Sequence, residues 1–215
     1  MTTPSLVSRF HVLPLTFIFA FAAVAVVQLP AGEGLVMHWD MQGQPDWIWP
    51  RNIAFALVPA FAVAVTAAFA IGGAMTPKNR LEMARHVLEP ALTAILSLCT
   101  AVQLGLLALG LGSDLDILRV VAGAVAVGLL FLGILLREAE RHTYAGLRLP
   151  WRIPDDRIWR RTHEIAGWGY IGAAIVLAGF TWLQPYPGTL VTALPFALFV
   201  PVVLARLSLL GQKRA

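Results

Sequence analysis

One segment of the chain gathers the residue types that metal and acid–base chemistry use. It runs from His38 to Arg51, HWDMQGQPDWIWPR, in a chain that is 58% hydrophobic overall. His38, Asp40 and Asp46 are all side chains that a zinc ion accepts as ligands. No fourth ligand follows at a typical spacing, so a membrane-embedded metalloenzyme would require these three residues to converge on one ion.

Two further patterns point away from catalysis. Gly43 and Pro45 have the composition of a tight turn, and Asp46 is placed to cap the element that follows. His163-Glu164 lacks the second His that would complete a metallopeptidase helix. The sequence also contains no nucleophile beside a base and no phosphate-binding loop. We therefore predict no catalytic, metal or cofactor-binding residue, and a protein that acts by binding.

Glu89 is an acidic residue at the edge of a long apolar run. Ionisable groups inside a bilayer are commonly functional. An ion pair with Arg85 or His86, or snorkelling of the side chain toward water, explains Glu89 equally well. Both interpretations stay open at this point.

Long apolar segments must position all of these residues. Only 13% of the chain is charged, whereas soluble domains average about 25%. A bilayer core about 30 Å thick needs roughly 20 apolar residues of helix. Six segments come close to or exceed this length: Val12–Leu29, Ile53–Met75, Leu88–Gly110, Ile117–Leu136, Ile165–Leu183 and Leu190–Leu210. We predict an all-α, polytopic membrane protein with six transmembrane helices, the first retained rather than cleaved as a signal peptide.

The distribution of basic residues predicts the orientation. If the N-terminus is cytoplasmic, all of the 16 Lys and Arg residues except Arg51 and Arg119 fall in inside segments. Both termini are then cytoplasmic. Basic loops beside anionic lipid account for the pI of 9.8, so the bilayer is the expected partner and direct nucleic-acid binding is not.

Two long connections suggest an internal repeat. The first covers Pro30–Arg51 outside and the second Arg137–Glu164 inside, and each follows the first span of a three-span half. We predict an amino-terminal half, residues 1–110, and a carboxy-terminal half, residues 111–215, and we hypothesise that the two are related as a 3+3 inverted repeat. In the second connection, Trp159, His163, Ala166 and Tyr170 recur on one helical face. This spacing predicts that the fifth span begins as an amphipathic helix on the cytoplasmic surface.

The two connections together resemble a known family. LPAGEGLVMHWDMQGQPD is similar to the amino-terminal signature of the SdpI family, the immunity proteins against the sporulation-delaying-protein toxin. GLRLPWRIPDDRIWRRTHEIAGW resembles the second signature of that family. The matching positions in this chain are His38, Trp39, Gly43, Pro45 and Asp46 outside, and Gly146, Arg148, Pro150, Trp151, Trp159, Thr162, His163 and Gly167 inside.

The resemblance implies a plasma-membrane protein that protects its cell from a secreted, membrane-active peptide toxin. It also implies a receptor that holds a cytoplasmic transcriptional repressor at the membrane. The outer segment would meet the peptide, and the inner segment would stabilise or report the occupied state. The alternative is a small transporter or flippase, which predicts a water-accessible cavity lined by Glu89 and His86. The immunity interpretation predicts a mostly apolar interior.

Overall fold

The computed structural model describes residues 5–32, 34–138, 153, 155–183 and 186–212. Within these residues, six helices are long and apolar enough to cross a membrane, which confirms the predicted multi-pass membrane protein. They are α1 Val12–Gln28, α2 Arg51–Met75, α3 Lys78–Gly110, α4 Ile117–Glu138, α5 Asp156–Leu183 and α6 Pro187–Gln212. A turn of 3-10 helix, Arg9–His11, precedes α1.

A small β-hairpin joins α1 to α2, so the chain is nearly rather than entirely helical. Strand β1, Gly34–Trp39, pairs antiparallel with β2, Pro45–Pro50. The sequence pattern predicts only a loop here. β-branched and aromatic residues favour strands, but the short runs on either side of Gly43 do not alternate cleanly enough to be recognised.

Helix α3 begins well before the apolar run that predicted it. α3 begins at Lys78 instead of near Leu88, and only Thr76 and Pro77 separate it from α2. Its first turns are amphipathic, with Leu81 and Ala84 buried and the charged residues outside. Apolar length marks the part of a helix that lies in lipid, and the helix itself continues into the polar zone.

The helices of the bundle pack unevenly on one another. α3 packs against α1, α2 and α4, whereas α4 packs mainly on α5, and α5 on α6. One apolar core lies among α4, α5 and α6, and a second joins α1, α2, α3, the hairpin and the first turns of α4. Trp39 contacts both cores. The division of the chain at residue 110 and the inverted relation of the two halves both stay predictions.

A proline in α2 creates a polar contact between helices. Pro59 has no backbone N–H, so the carbonyl of Phe55 lacks its usual helical donor. The fully buried Gln103 of α3 donates from Nε2 to that carbonyl at 3.3 Å. A buried carbonyl without a donor is costly in lipid, and Gln103 therefore ties α3 to α2 below the hairpin.

Candidate binding site: the hairpin and the crevice beneath it

The hairpin turn is closed by its own polar groups. The Oδ1 atom of Asp40 accepts hydrogen bonds from the backbone N–H of Gln42 at 2.9 Å and of Gln44 at 2.7 Å. Gly43 has a φ of +79°, a left-handed conformation that favours glycine. The motif residue Gly43 is therefore required by the backbone of the turn.

His38 and Asp46 face each other across the strands. Nδ1–H of His38 donates to Oδ1 of Asp46 at 2.7 Å, and the two side chains are 57% and 44% exposed. Asp46 was predicted to cap the following element, and this is wrong: β2 continues to Pro50, which occupies the cap position of α2. Trp47 packs edge-on against His38 and is itself exposed.

The three candidate metal ligands do not converge. Asp40 turns its carboxylate into the turn, while His38 and Asp46 pair with each other. Across the described residues there is no group of three His, Cys, Asp or Glu side chains that could hold a metal ion. The metalloenzyme alternative required such a group, and the geometry does not provide it.

The hairpin is fixed to three helix ends. Arg51, which is 6% exposed, donates to the carbonyl oxygens of Val26, at 3.3 Å, and Leu29. A cation at the C-terminal end of a helix is favourable for the α1 dipole. At the start of α6, a side chain on Gly188 would collide with the carbonyl oxygen of Met41 in the turn. The turn therefore rests directly on the α6 backbone.

An apolar crevice of about 590 Å³ lies beneath β1. β1 forms its roof with Val36 to Trp39, and α2, α3, α4 and α6 form its walls. The walls consist of Leu57, Val58, Phe61, Ile95, Leu98, Cys99, Val102, Leu106, Ile117, Leu118, Val121, Ala124, Val125, Val191 and Leu194. A volume of this size falls in the usual range for ligand pockets, about 300–1,000 Å³. Two motif residues, His38 and Trp39, thus line a cavity that is otherwise almost wholly apolar.

The inner motif, which is the set of matching positions between Gly146 and Gly167, has a different environment at the opposite end of the bundle from the outer motif of the hairpin. His163 is 1% exposed and Thr162 is fully buried. The rings of Trp159 and His163 stack with centroids 3.9 Å apart, and Nδ1–H of His163 donates to the Trp159 carbonyl at 3.0 Å. Trp159, His163, Ala166 and Tyr170 are all buried, which confirms the predicted helical face.

Gly167 brings α5 against α4. A Cβ atom on Gly167 would lie 2.7 Å from the carbonyl oxygen of Gly133, and the reverse holds for Gly133. The stem of Arg137 covers Gly167, and its guanidinium lies 4.1 Å from the ring centroid of Trp168. The described inner motif residues therefore act in helix packing. Gly146, Arg148, Pro150 and Trp151 lie outside the described residues.

Glu89 lines a second cavity of about 610 Å³ between the start of α1, α3 and α4. Its carboxylate is 3.4 Å from Arg85, the predicted ion pair. The cavity also holds His11, a buried residue that the sequence analysis missed. Nδ1 of His11 accepts from the N–H of Ser8 at 2.9 Å, so the ring carries its proton on Nε2, 3.1 Å from the Thr93 hydroxyl.

Sequence reasoning did not identify three other contributors to this geometry. Gln103 and Gly188 act through partners far away in the chain, which spacing alone does not reveal. Arg51 stands directly before an apolar run and is one of the two basic residues predicted to lie outside. That position is a signal for a cation that is buried against helix ends.

Comparison with known proteins gives a match only for the part of the chain that contains the second signature, GLRLPWRIPDDRIWRRTHEIAGW. No curated protein and no solved structure matches the chain. Residues 138–209 match the sequence model of the SdpI/YfhL protein family, and this range contains the inner motif, α5 and most of α6. The outer motif lies before the matched residues. The match confirms the predicted resemblance over residues 138–209, and this part of the multi-pass membrane protein is similar to the SdpI/YfhL family.

Proposed function

We propose that this protein is an immunity protein of the bacterial cytoplasmic membrane, which binds a secreted, membrane-active peptide and keeps it from damaging the bilayer. The observation that carries the proposal is the crevice beneath the hairpin. The motif residues His38 and Trp39 form its roof, and its walls are apolar. A peptide that must enter lipid carries an apolar segment, and this crevice offers that segment a protein surface instead.

The exposed side of the hairpin suits the first encounter. Trp47 and Ile48 are 58% and 63% exposed, and Trp is enriched where lipid meets water. An incoming peptide reaches this zone before the hydrocarbon core. The binding mechanism is therefore capture at the interface, followed by burial of the apolar segment under β1, and it needs no catalytic step.

Signalling is the second half of the proposal. Arg157, Arg160 and Arg161 are exposed at the start of α5, at the end of the bundle that the basic-residue rule assigns to the cytoplasm. They can meet lipid phosphates or an acidic face of a repressor. Glutamine at all three positions is expected to release a membrane-held repressor while protection against the toxin persists.

Protection can be measured directly in toxin-sensitive cells. The chain is expressed in cells that lack an immunity protein, a sporulation-delaying-type toxin is added, and the membrane potential is followed with a dye. We expect the wild type to hold the potential, and Ala124→Phe, which fills the crevice, to lose it. Ala67→Phe, on an exposed face of α2, is the matched control and should protect. Protection by Ala124→Phe at equal membrane levels would rule out the crevice as the binding site.

A transporter or flippase is the alternative that one observation favours. Leu98 lines both the outer crevice and the second cavity, and it packs on Gly128 of α4. Glu89 faces the second cavity, although His86 does not line it. A transport path would have to pass Leu98. Under this alternative, Leu98→Ala raises solute or lipid passage in vesicles, whereas under the immunity proposal passage stays at the background rate.

A further inference from the structure

The second cavity is a groove on the lipid-facing side of the bundle. It has a volume of about 610 Å³ and lies between the start of α1, α3 and α4. Helix α3 packs against α1 and against α4, and it supplies the floor. Several lining residues are exposed on the surface of the bundle: Phe10, Pro90, Thr93, Ser97, Val127 and Phe131. Because these residues belong to helices that can span a membrane, the groove opens sideways toward the lipid.

The groove has the depth of one leaflet. The apolar run of α3 begins at Leu88, which places Glu89 where the hydrocarbon core meets the headgroups. Ser97 lies two helical turns further along α3 and is therefore about 12 Å deeper. Half of a bilayer core about 30 Å thick is about 15 Å. The groove thus extends from the headgroup level almost to the midplane, on the side that the basic-residue rule assigns to the cytoplasm.

The two ends of the groove differ in polarity. Apolar side chains line its deeper part: Ala94, Leu98, Val127 and Phe131. At the headgroup end, Ser8, His11 and Thr93 already use their polar groups within the protein. The N–H of Ser8 donates to Nδ1 of His11 at 2.9 Å, and the Thr93 hydroxyl donates to the Glu89 carbonyl at 3.0 Å. An apolar body with a polar end at the headgroup level matches the shape of a single phospholipid.

Glu89 and Arg85 offer charges of both signs at the headgroup end. Their closest atoms, Oε1 of Glu89 and an outer guanidinium nitrogen of Arg85, are 3.4 Å apart, and the side chains are 29% and 39% exposed. A charge-assisted hydrogen bond is shorter, about 2.7–2.9 Å. Among the described residues, no donor forms a hydrogen bond to the Glu89 carboxylate. The carboxylate, which lines the groove, can therefore accept hydrogen bonds from a ligand while it stays near Arg85.

This pair of charges distinguishes between headgroups. An ethanolamine headgroup carries an ammonium group, which can donate to Glu89, next to a phosphate, which Arg85 attracts. A choline headgroup has no N–H to donate. A glycerol headgroup leaves the phosphate charge uncompensated beside the carboxylate, which repels it.

We propose that the groove binds one phosphatidylethanolamine molecule of the cytoplasmic leaflet. Its ammonium group donates to Glu89, its phosphate lies near Arg85, and one acyl chain runs along α3 beside α4. This inference goes beyond the proposed function, because the site lies in the leaflet opposite the hairpin and takes no part in the capture of a toxin.

Lipid retention by the full-length protein tests the headgroup assignment. The purified protein is incubated in detergent with equal amounts of phosphatidylethanolamine, phosphatidylcholine and phosphatidylglycerol of identical acyl chains, and retained lipids are counted by native mass spectrometry. We expect phosphatidylethanolamine to be preferred, and Glu89→Gln to lower this preference about two- to fivefold. Glu82→Gln is the matched control, because Glu82 is exposed on α3 and does not line the groove. Equal retention of the three lipids by the wild type, or an unchanged preference in Glu89→Gln, would overturn the inference.

A second pair of variants tests the place of binding. Ala94→Phe fills the groove and should abolish the retained phosphatidylethanolamine. Ala101→Phe makes the same exchange at an exposed position of α3 outside the groove, and it should retain the lipid. Thermal unfolding in detergent checks that both variants fold, and Glu89→Gln decides the question if Ala94→Phe does not. Equal retention by the two folded variants would overturn the inference. A wild-type dimer that Ala94→Phe converts to a monomer would identify a second copy of the chain as the occupant and would also overturn it.

Discussion

The two motifs that led to the family have opposite environments in the structure. In the hairpin, His38 and Asp46 are about half exposed and pair with each other at the protein surface. At the start of α5, His163 and Thr162 are buried among packed helices. Residues of the same types thus serve two purposes, and burial rather than residue type separates a surface that can bind a partner from one that holds the fold.

This difference in burial leads to a separate prediction for each motif. Changes in the inner motif should reduce stability, and changes in the hairpin should reduce binding while stability is kept. The largest effect is expected where backbones touch. Gly167→Ala places a Cβ 2.7 Å from the carbonyl oxygen of Gly133, so α4 and α5 must separate, at a cost of about 1–3 kcal/mol. Thermal unfolding in detergent measures this cost.

Gly172→Ala is the control for that experiment. It lies on the same helix, and a Cβ there meets no atom within 4 Å. Its melting temperature should equal that of the wild type or rise slightly, because alanine favours helix over glycine. Equal melting temperatures for Gly167→Ala and Gly172→Ala would show that the inner motif is not a packing site.

A moderate effect is expected in the helices that support the hairpin. Gln103→Leu leaves the Phe55 carbonyl without its donor, which should cost about 1–3 kcal/mol for a buried unsatisfied group. Pro59→Ala restores a backbone N–H for that carbonyl. In the double variant the Gln103→Leu cost should therefore largely disappear, and a double-mutant cycle by thermal unfolding checks this. If the effects of Gln103→Leu and Pro59→Ala on the free energy of unfolding simply add, Gln103 is not the donor that compensates for Pro59.

The smallest effect on stability is expected at the hairpin surface. Asp46→Asn weakens an exposed pair with His38, and such pairs contribute about 0–1 kcal/mol. Its melting temperature should stay within error of the wild type. A large fall would mean that the pair holds the hairpin together, and the distinction between the two motifs would then fail.

The sequence was sufficient for the parts of the fold that local patterns encode. Apolar length predicted six spans, and the spacing of Trp159, His163, Ala166 and Tyr170 predicted a buried face. The hairpin was missed because its strands are short. The contacts of Gln103 with Phe55 and of Gly188 with Met41 join distant parts of the chain, and no spacing rule reports such contacts.

For the candidate site, residue types were recognised but their roles were not. His38, Asp40 and Asp46 have the composition of a metal site, yet Asp40 is used by the backbone of its own turn. The orientation of a carboxylate depends on nearby N–H groups, which composition does not show. The crevice itself arises from four helices and one strand and exists only in the folded chain.

The most direct test compares one Trp from each region. Toxin-treated cells expressing Trp47→Ala or Trp159→Phe are assayed for membrane potential, with the amount of folded protein in the membrane measured in parallel. We predict that Trp47→Ala, at the exposed hairpin, loses protection while folded protein is unchanged. Trp159→Phe, in the buried motif, should lose protection only in proportion to folded protein. Full protection by Trp47→Ala, or loss of protection by fully folded Trp159→Phe, would contradict the assignment of binding to the hairpin and of packing to α5.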